Sequence, residues 1–209
     1  MNVQTTKLST ITIISLLVFA MTANLCRAQE WSRKGKSEIF GTLQMIGSET
    51  VEYSYHEDLH QLPVTFDMDS AILYGVGFGY NFTDHWNINT DLLFGSADTD
   101  VKVSNTKVES ADMDYIQWDI NIDYNIWKSR FTPLVTCGIG LMDFGIDTTT
   151  YAGEVHESNF SSNLGAGVRW DIKDDFLLKL VYRSTWTEVN DSDNDQRYDS
   201  VSLSAAYMF

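Results

Sequence analysis

The sequence predicts an all-β fold, namely an eight-stranded antiparallel up-and-down transmembrane β-barrel with short turns at one end and long loops at the other. Apolar side chains alternate with a period of two over most of the chain, and the intervening positions carry glycine, amide and charged side chains. The connections between these segments are alternately short and long. These features indicate strands, because a helix would space its apolar residues three and four apart.

The N-terminus predicts export. An apolar run from Ile11 to Ala20 precedes small residues that end at Ala28. We therefore expect residues 1–28 to be a cleaved signal peptide and residues 29–209 to form a single barrel domain. A transmembrane helix is the alternative, but the apolar run is shorter than the ~20 residues that a spanning helix requires.

The cysteines leave one further alternative for the leader. Cys26 could be lipidated, although Leu25 is a poor match to the small residue that precedes a lipidated cysteine. Cleavage after Ala28 would leave Cys137 without a cysteine partner. No intrachain disulfide is therefore expected, and we expect hydrogen bonds to hold the fold together.

Eight segments carry the alternation of apolar side chains. In chain order they are Glu38–Gly47, Ile72–Tyr80, Trp86–Phe94, Ile116–Tyr124, Phe131–Leu141, Phe160–Trp170, Phe176–Tyr182 and Val201–Phe209. The first of them is the weakest. Three short turns, at residues 81–85, 127–130 and 173–175, alternate with four long connections at residues 48–70, 97–114, 143–158 and 187–199.

The composition of the two strand faces decides between a soluble and a membrane protein. In a soluble barrel, large apolar side chains fill the core and charges are sparse there. Here the bulky apolar residues share one face, whereas the other face mixes residues such as Gly75, Asn89, Asp91 and Gln117. This pattern predicts an apolar exterior in lipid around a narrow polar lumen. Closure also removes the unpaired strand edges that hydrocarbon does not tolerate.

Aromatic residues near the strand ends predict two interfacial girdles. The group near the short turns contains Trp31, Tyr80, Phe82, Trp86, Trp127, Phe131, Trp170 and Phe209, and the group at the opposite end contains Phe66, Phe94, Tyr115, Phe144, Phe160 and Trp186.

The C-terminus resembles the assembly signal of the small eight-stranded outer-membrane β-barrel proteins of Gram-negative bacteria. Its alternating residues are Val201, Leu203, Ala205, Tyr207 and Phe209, with tyrosine third from the end and a final phenylalanine. The glycine-rich stretch at residues 75–84 is also similar to the second strand and first turn of that family. The resemblance covers nearly all of the mature chain. It implies an outer-membrane location, periplasmic short turns and termini, and recognition by the outer-membrane assembly machinery.

The net negative charge of the chain lies in the long connections. The chain carries 29 acidic and 14 basic residues, and the four long connections hold 20 acids against 3 bases. This balance excludes nucleic-acid binding, which needs clustered lysine and arginine. A solvated surface is the simpler interpretation. The functional interpretation is that the loop carboxylates bind divalent cations, which would link the barrel to outer-membrane lipid and lipopolysaccharide.

One acidic run has the spacing of a calcium loop. Asp191, Asp193 and Asp195 present oxygens at alternate residues, but an EF-hand loop needs glycine at its sixth position and glutamate at its twelfth. Gln196 and Ser202 occupy those positions. The run is therefore only a weak metal candidate, and the sequence predicts no cofactor.

Charged residues on the polar face predict an ion-pair plug inside the lumen. They are Asp91, Asp119, Asp123, Arg169, Asp171, Lys179 and Arg183. Buried charges persist only when they are paired or hydrated, and an eight-stranded barrel has room for side chains and little else. The alternative interpretation is a narrow, gated pore.

The sequence favours a protein without enzymatic activity that serves as an envelope anchor or in surface interaction through acidic extracellular loops. A small porin-like channel or a pathway for hydrophobic solutes is the first alternative, with Leu73, Leu93 and Leu134 as the one hint of an apolar lumen near the outer end. A lipid A-modifying enzyme is the second. For that chemistry His156 and Ser158 have suitable spacing, but no acidic residue stands out on the adjoining strand, since Asp143 and Asp147 are expected in the loop rather than on a strand. The oligomeric state is not encoded in the alternation.

Overall fold

The protein is an antiparallel β-barrel in a computed structural model that describes residues 31–47, 49–54, 63–68, 70–103, 106–148, 153–187 and 196–209. The described residues form ten strands: β1 (Ser37–Ile46), β2 (Glu49–Ser54), β3 (Pro63–Met68), β4 (Ala71–Asn81), β5 (Trp86–Val103), β6 (Thr106–Asn125), β7 (Phe131–Thr148), β8 (Gly153–Asp171), β9 (Phe176–Thr187) and β10 (Gln196–Met208). The predicted signal peptide, residues 1–28, lies outside the described residues, as do Asp191, Asp193 and Asp195.

Eight of these strands close the barrel, as the sequence predicts. Going round the wall, β1 pairs with β4, β4 with β5 and so on to β9, β9 with β10, and β10 pairs back with β1. Every pairing is antiparallel. The start of β1 meets the C-terminal residue at the short turns, where Ser37 and Phe209 exchange backbone hydrogen bonds of 2.8 and 2.9 Å.

The long connections differ from the prediction. Most of residues 97–114 and 143–158 continue β5, β6, β7 and β8 as paired strand. The connection at residues 48–70 contains the hairpin β2–β3. Its strand β3 pairs with residues 99–103 at the end of β5. Apolar side chains alternate only over the part of each strand that faces lipid. Backbone pairing needs no apolar side chains, so the strands continue beyond that part. Sequence periodicity therefore placed the strand ends too early.

The apolar face points outward. Large side chains such as Ile72, Val76 and Phe209 are more than 60 % exposed, and Phe78 and Ile120 are exposed as well. Polar side chains point into the lumen, where Glu38, Asp119, Arg169 and Asp171 are all fully buried. The prediction of a barrel with an apolar exterior and a polar interior is confirmed. None of the described residues lies in a helix long and apolar enough to cross a membrane.

Among the girdle aromatics whose side chains the structure describes, a set that excludes Phe66 and Phe144, all but two point outward. Trp31 packs inside the barrel mouth, and Tyr115 is an inward residue of β6 that is only 1 % exposed. The girdle prediction was wrong for both. Trp31 precedes β1 and so follows no strand alternation, and Tyr115 shares the inward parity of Gln117 and Asp119.

Gly75 on β4 is required by close approach to the neighbouring strand. A Cβ atom there would overlap the carbonyl oxygen of Leu92. We expect Gly75→Ala to lower the free energy of unfolding by about 1 to 3 kcal/mol, because β4 and β5 would have to separate. Urea titration of the refolded barrel in micelles measures this change.

Gly41→Ala is the matched control. Gly41 lies on the neighbouring strand β1 and faces outward. A Cβ atom added to Gly41 would have the carbonyl oxygen of Gly75 as its nearest neighbour, at a distance of 3.9 Å. It should unfold with the wild-type midpoint. Equal midpoints for both variants would contradict the role assigned to Gly75.

Candidate functional site

The lumen contains a chain of alternating buried charges at the short-turn end. Arg33 pairs with Asp171 at 2.8 Å, and Asp171 also pairs with Arg169 at 3.0 Å. Arg169 then reaches Glu38 at 2.9 Å. All four side chains are fully buried, so each charge is stabilised by its neighbours rather than by bulk water.

Lys179 extends the chain across the barrel. Its ammonium lies 3.4 Å from Glu38 and 3.1 Å from Asp123. The carboxylate of Glu38 also accepts hydrogen bonds from the amides of Asn81 at 2.9 Å and Asn87 at 2.6 Å. Glu38 on β1 thus joins its own strand to β4, β5, β8 and β9, through Asn81, Asn87, Arg169 and Lys179.

A separate pair lies further from the short turns. Arg183 on β9 contacts Asp119 on β6 at 3.0 Å, and Gln117 donates to the same carboxylate oxygen at 2.6 Å. Asp91 is the direct cross-strand partner of Asp119. Among the described residues Asp91 has no ion pair, and its carboxylate accepts from the amide of Asn121 at 3.2 Å.

The lumen therefore brings together the seven charged residues singled out in the sequence. Glu38 and Arg33 also belong to this network, although the sequence pattern did not predict them. Glu38 has the inward parity of Thr42 and Gln44, but the first strand was too weakly alternating to use that signal. Arg33 lies outside any strand, so no periodicity marks it.

Two clusters of buried apolar side chains lie in the lumen, one on the long-loop side of the charges and one among the charges near the short turns. At the long-hairpin end the buried cluster contains Ile46, Ala71, Leu73, Leu93, Ala97, Met113, Tyr115, Met142 and Tyr198. At the short-turn end it contains Trp31, Phe40, Leu177, Ala206 and Met208. Leu73 and Leu93 lie in the first cluster as expected. Leu134 does not, because its partner Asn125 places it near the short turns.

The segment before β1 folds across the mouth of the barrel at the short turns. The Arg33 guanidinium donates to backbone carbonyls of Asp84 and Ser129, and the indole of Trp31 stacks 4.3 Å from that guanidinium. Lys36 donates to the carbonyl of Asp174 at 2.9 Å. Residues 31–36, which we call the strap, thereby contact all three short turns.

Asp84, in the first short turn, accepts hydrogen bonds from the strap and forms an ion pair with Lys128. Its carboxylate accepts from the Ser32 hydroxyl at 2.6 Å and from the Arg33 backbone N–H at 2.8 Å, and it pairs with Lys128 at 2.8 Å. Partial burial acts to raise the pKa of Asp84, but the hydrogen bonds from Lys128, Ser32 and the Arg33 backbone hold that pKa well below its ordinary value.

The remaining predicted sites are placed as follows. Val201, Leu203, Ala205, Tyr207 and Phe209 all face outward at the end of the chain. The register sets His156 opposite Gly145 and Ser158 opposite Asp143. The expectation that Asp143 and Asp147 lie in a loop was wrong, because β7 continues as paired strand to Thr148. The described residues contain no group of three or more His, Cys, Asp or Glu side chains placed to hold a metal ion.

A closed barrel with an apolar coat and a charged, filled lumen defines a small transmembrane β-barrel. The chain belongs to the family described as the outer membrane protein beta-barrel domain, whose model matches residues 13–209. No curated protein matches the chain in sequence.

Solved structures show the same fold at low sequence identity. OprG from Pseudomonas aeruginosa is 14 % identical with a TM-score of 0.62, and the match covers 86 % of this chain and 98 % of OprG. Neisserial surface protein A is 13 % identical with a TM-score of 0.52, covering 84 % and 96 %. AlkL is 15 % identical with a TM-score of 0.51, covering 88 % and 94 %. These likenesses concern the fold alone.

Removing Arg33 should destabilise the barrel more than a surface change does. We expect Arg33→Ala to lower the free energy of unfolding by about 3 to 5 kcal/mol, because it removes a fully buried member of the ion-pair chain. The control is Lys34→Ala, at the exposed neighbouring position. Guanidinium unfolding of both variants in micelles measures the difference, and equal stabilities would contradict the role of the strap.

The strap should also make the stability of the folded barrel depend on pH. Because the folded-state pKa of Asp84 is lowered, its stabilising contribution is complete above the unfolded value of about 3.9 and is lost as the pH falls below it. The stability difference between wild type and Asp84→Asn should therefore be largest above about pH 4 and shrink in stronger acid. Unfolding curves across this range test the expectation. A difference that stays constant with pH would exclude it.

Proposed function

We propose that this protein is a non-conducting outer-membrane barrel that anchors an acidic surface at the cell exterior. In this proposal the short turns, the strap and both chain ends face the periplasm, and the long hairpins face outward. The observation that carries it is the filled lumen. A barrel that cannot pass solutes must act through the surfaces it exposes.

The lumen is blocked at three successive levels. The strap covers the short-turn mouth, the ion pairs cross the middle, and the apolar cluster that includes Leu73, Leu93 and Met142 fills the long-hairpin end. Beside Asp91 and Lys179 lies a cavity of about 20 Å³, which is room for about one water molecule. A space of this size supports a plug rather than a channel.

The exterior supports a role in the envelope. The long connections carry 20 acidic residues against 3 basic ones, and carboxylates at this density can share divalent cations with lipopolysaccharide phosphates. The outward face of β10, ending in Tyr207 and Phe209, offers the alternating pattern expected of an assembly signal. We propose lipopolysaccharide and the assembly machinery as partners on these grounds, and no catalytic activity.

A second candidate function is a pathway for hydrophobic solutes. It is favoured by the apolar layer at the long-hairpin end, which the sequence only hinted at. Its side chains are packed together, with Leu73 and Leu93 fully buried, so a solute would have to displace them. Transport of an apolar solute into reconstituted vesicles would favour this candidate over the proposed one.

Planar-bilayer recording tests the proposed function directly. We expect the wild-type barrel to show no steady conductance, and Arg169→Ala or Lys179→Ala to allow brief openings, because each removes a member of the ion-pair chain and leaves space. Lys173→Ala, in an exposed short turn, is the control and should remain silent. A steady wild-type conductance would overturn the proposal.

A further inference from the structure

One carboxylate of the lumen differs from the others in its partners. Among the described residues Glu38, Asp119, Asp123 and Asp171 each form an ion pair with a buried cation. Asp91 forms none, and its carboxylate accepts a hydrogen bond from the amide of Asn121 at 3.2 Å. Because a buried carboxylate is costly unless it is paired or hydrogen-bonded, we expect a further hydrogen-bond donor beside Asp91.

The cavity of about 20 Å³ lies directly against Asp91. The other charged side chains that line it are Asp123, Lys179 and Arg183. Each of these four residues is 5 or 6 % exposed, whereas a charged residue of the lumen away from the cavity, such as Glu38, is fully buried. The small exposed surface that the lumen charges retain therefore lies around this cavity.

The two cations at the cavity form their direct ion pairs with other carboxylates. The Lys179 ammonium lies 3.1 Å from Asp123, and the Arg183 guanidinium lies 3.0 Å from Asp119. Neither cation forms an ion pair with Asp91 among the described residues, although both share the cavity with it. Polar groups that are too far apart for a direct hydrogen bond are commonly bridged by a water molecule.

The charges that line the cavity favour a neutral ligand. Two carboxylates, Asp91 and Asp123, and two cations, Lys179 and Arg183, cancel each other there. A metal ion would place a further positive charge next to the ammonium and the guanidinium, which would repel it.

The size and polarity of the cavity fit one water molecule. Its volume of about 20 Å³ exceeds the ~10 to 15 Å³ that a water needs on the same measure. A buried water also needs two to four polar partners, and Asn89 and Ser202 line the cavity beside the four charged groups. Water can donate to a carboxylate and accept from a cation at the same time, so it suits this mixed lining.

We propose that this cavity binds one ordered water molecule, which donates a hydrogen bond to Asp91 and accepts hydrogen bonds from Lys179 and Arg183. The water joins the ion-pair chain of the short-turn end to the separate pair of Arg183 with Asp119. Asp91 is then a positioning residue of the plug, because it orients both cations through the water. The site goes beyond the proposed function, since it assigns a ligand inside the barrel.

A crystal structure of the full barrel at a resolution that shows ordered water tests the site. We expect density for one oxygen atom in the cavity, at about 2.6 to 3.0 Å from a carboxylate oxygen of Asp91. Crystals grown in rubidium chloride should show no anomalous difference peak of Rb⁺ there. A cavity without density, or one that contains an Rb⁺ peak, would overturn the inference.

Two variants of nearly equal shape separate the hydrogen bond of Asp91 from its charge. Asp91→Asn and Asp91→Leu both remove the charge, but only Asp91→Asn keeps an oxygen that accepts from the water. We expect the water density to remain in Asp91→Asn and to disappear in Asp91→Leu. Loss of the density from both variants would show that charge holds the ligand and would contradict a bridging water.

Thermal unfolding in micelles tests the positioning role of Asp91. The Tm of Asp91→Leu should be lower than that of Asp91→Asn by on the order of 2 to 6 °C, because the leucine leaves the bridge without its acceptor. The matched control is the same pair of substitutions at Asp174, in an exposed short turn, which should differ by less. Equal Tm values for the two Asp91 variants would exclude the positioning role. If Asp91→Leu does not refold, the wild-type and Asp91→Asn maps still decide the site, and bilayer conductance reports only on the proposed function.

Discussion

Closure of the sheet is the constraint on which the rest of this protein depends. A strand in hydrocarbon has no water to pair with its backbone, so every strand needs a neighbour on both sides. The pairing of β10 with β1 provides the last of these neighbours along nine residue pairs. Once the ring is complete, alternation leaves one set of side chains in lipid and forces the other into a lumen too narrow for bulk water.

The narrow lumen explains why its charges are arranged as a chain. Burying a carboxylate such as Glu38 is costly without a nearby cation, and Arg169 and Lys179 supply two. The same network joins strands that are far apart in the sequence, since Glu38 and Arg169 are separated by 131 positions. Charge pairing therefore fills the interior and also ties opposite walls of the barrel together.

The two ends of the barrel are closed by different means. The strap at the short turns is polar and works through Arg33, Asp84 and backbone carbonyls. The opposite end is closed by packed apolar side chains, including Leu73 and Met142. Between them, the ion pairs of Glu38 with Arg169 and of Lys179 with Asp123 cross the middle of the lumen.

Much of this protein could be predicted from residue order alone. Two-residue alternation is a local property, so it identified the eight barrel strands, their apolar and polar faces, and inward residues such as Asp119 and Lys179. It failed where alternation is absent or weak. The paired extensions of β5 to β8 carry no apolar signal, and Arg33 lies in no strand at all.

The sequence by itself determined the class of fold and which side chains enter the lumen, because the period of a strand is set by its own backbone. Only the tertiary structure decided which of those side chains meet. Asp119 and Arg183 come together because the tilt and stagger of eight strands bring them to one level, and that stagger belongs to the closed ring rather than to any segment. The contacts of the strap arise in the same way, because the three short turns that it touches become neighbours only when the barrel closes.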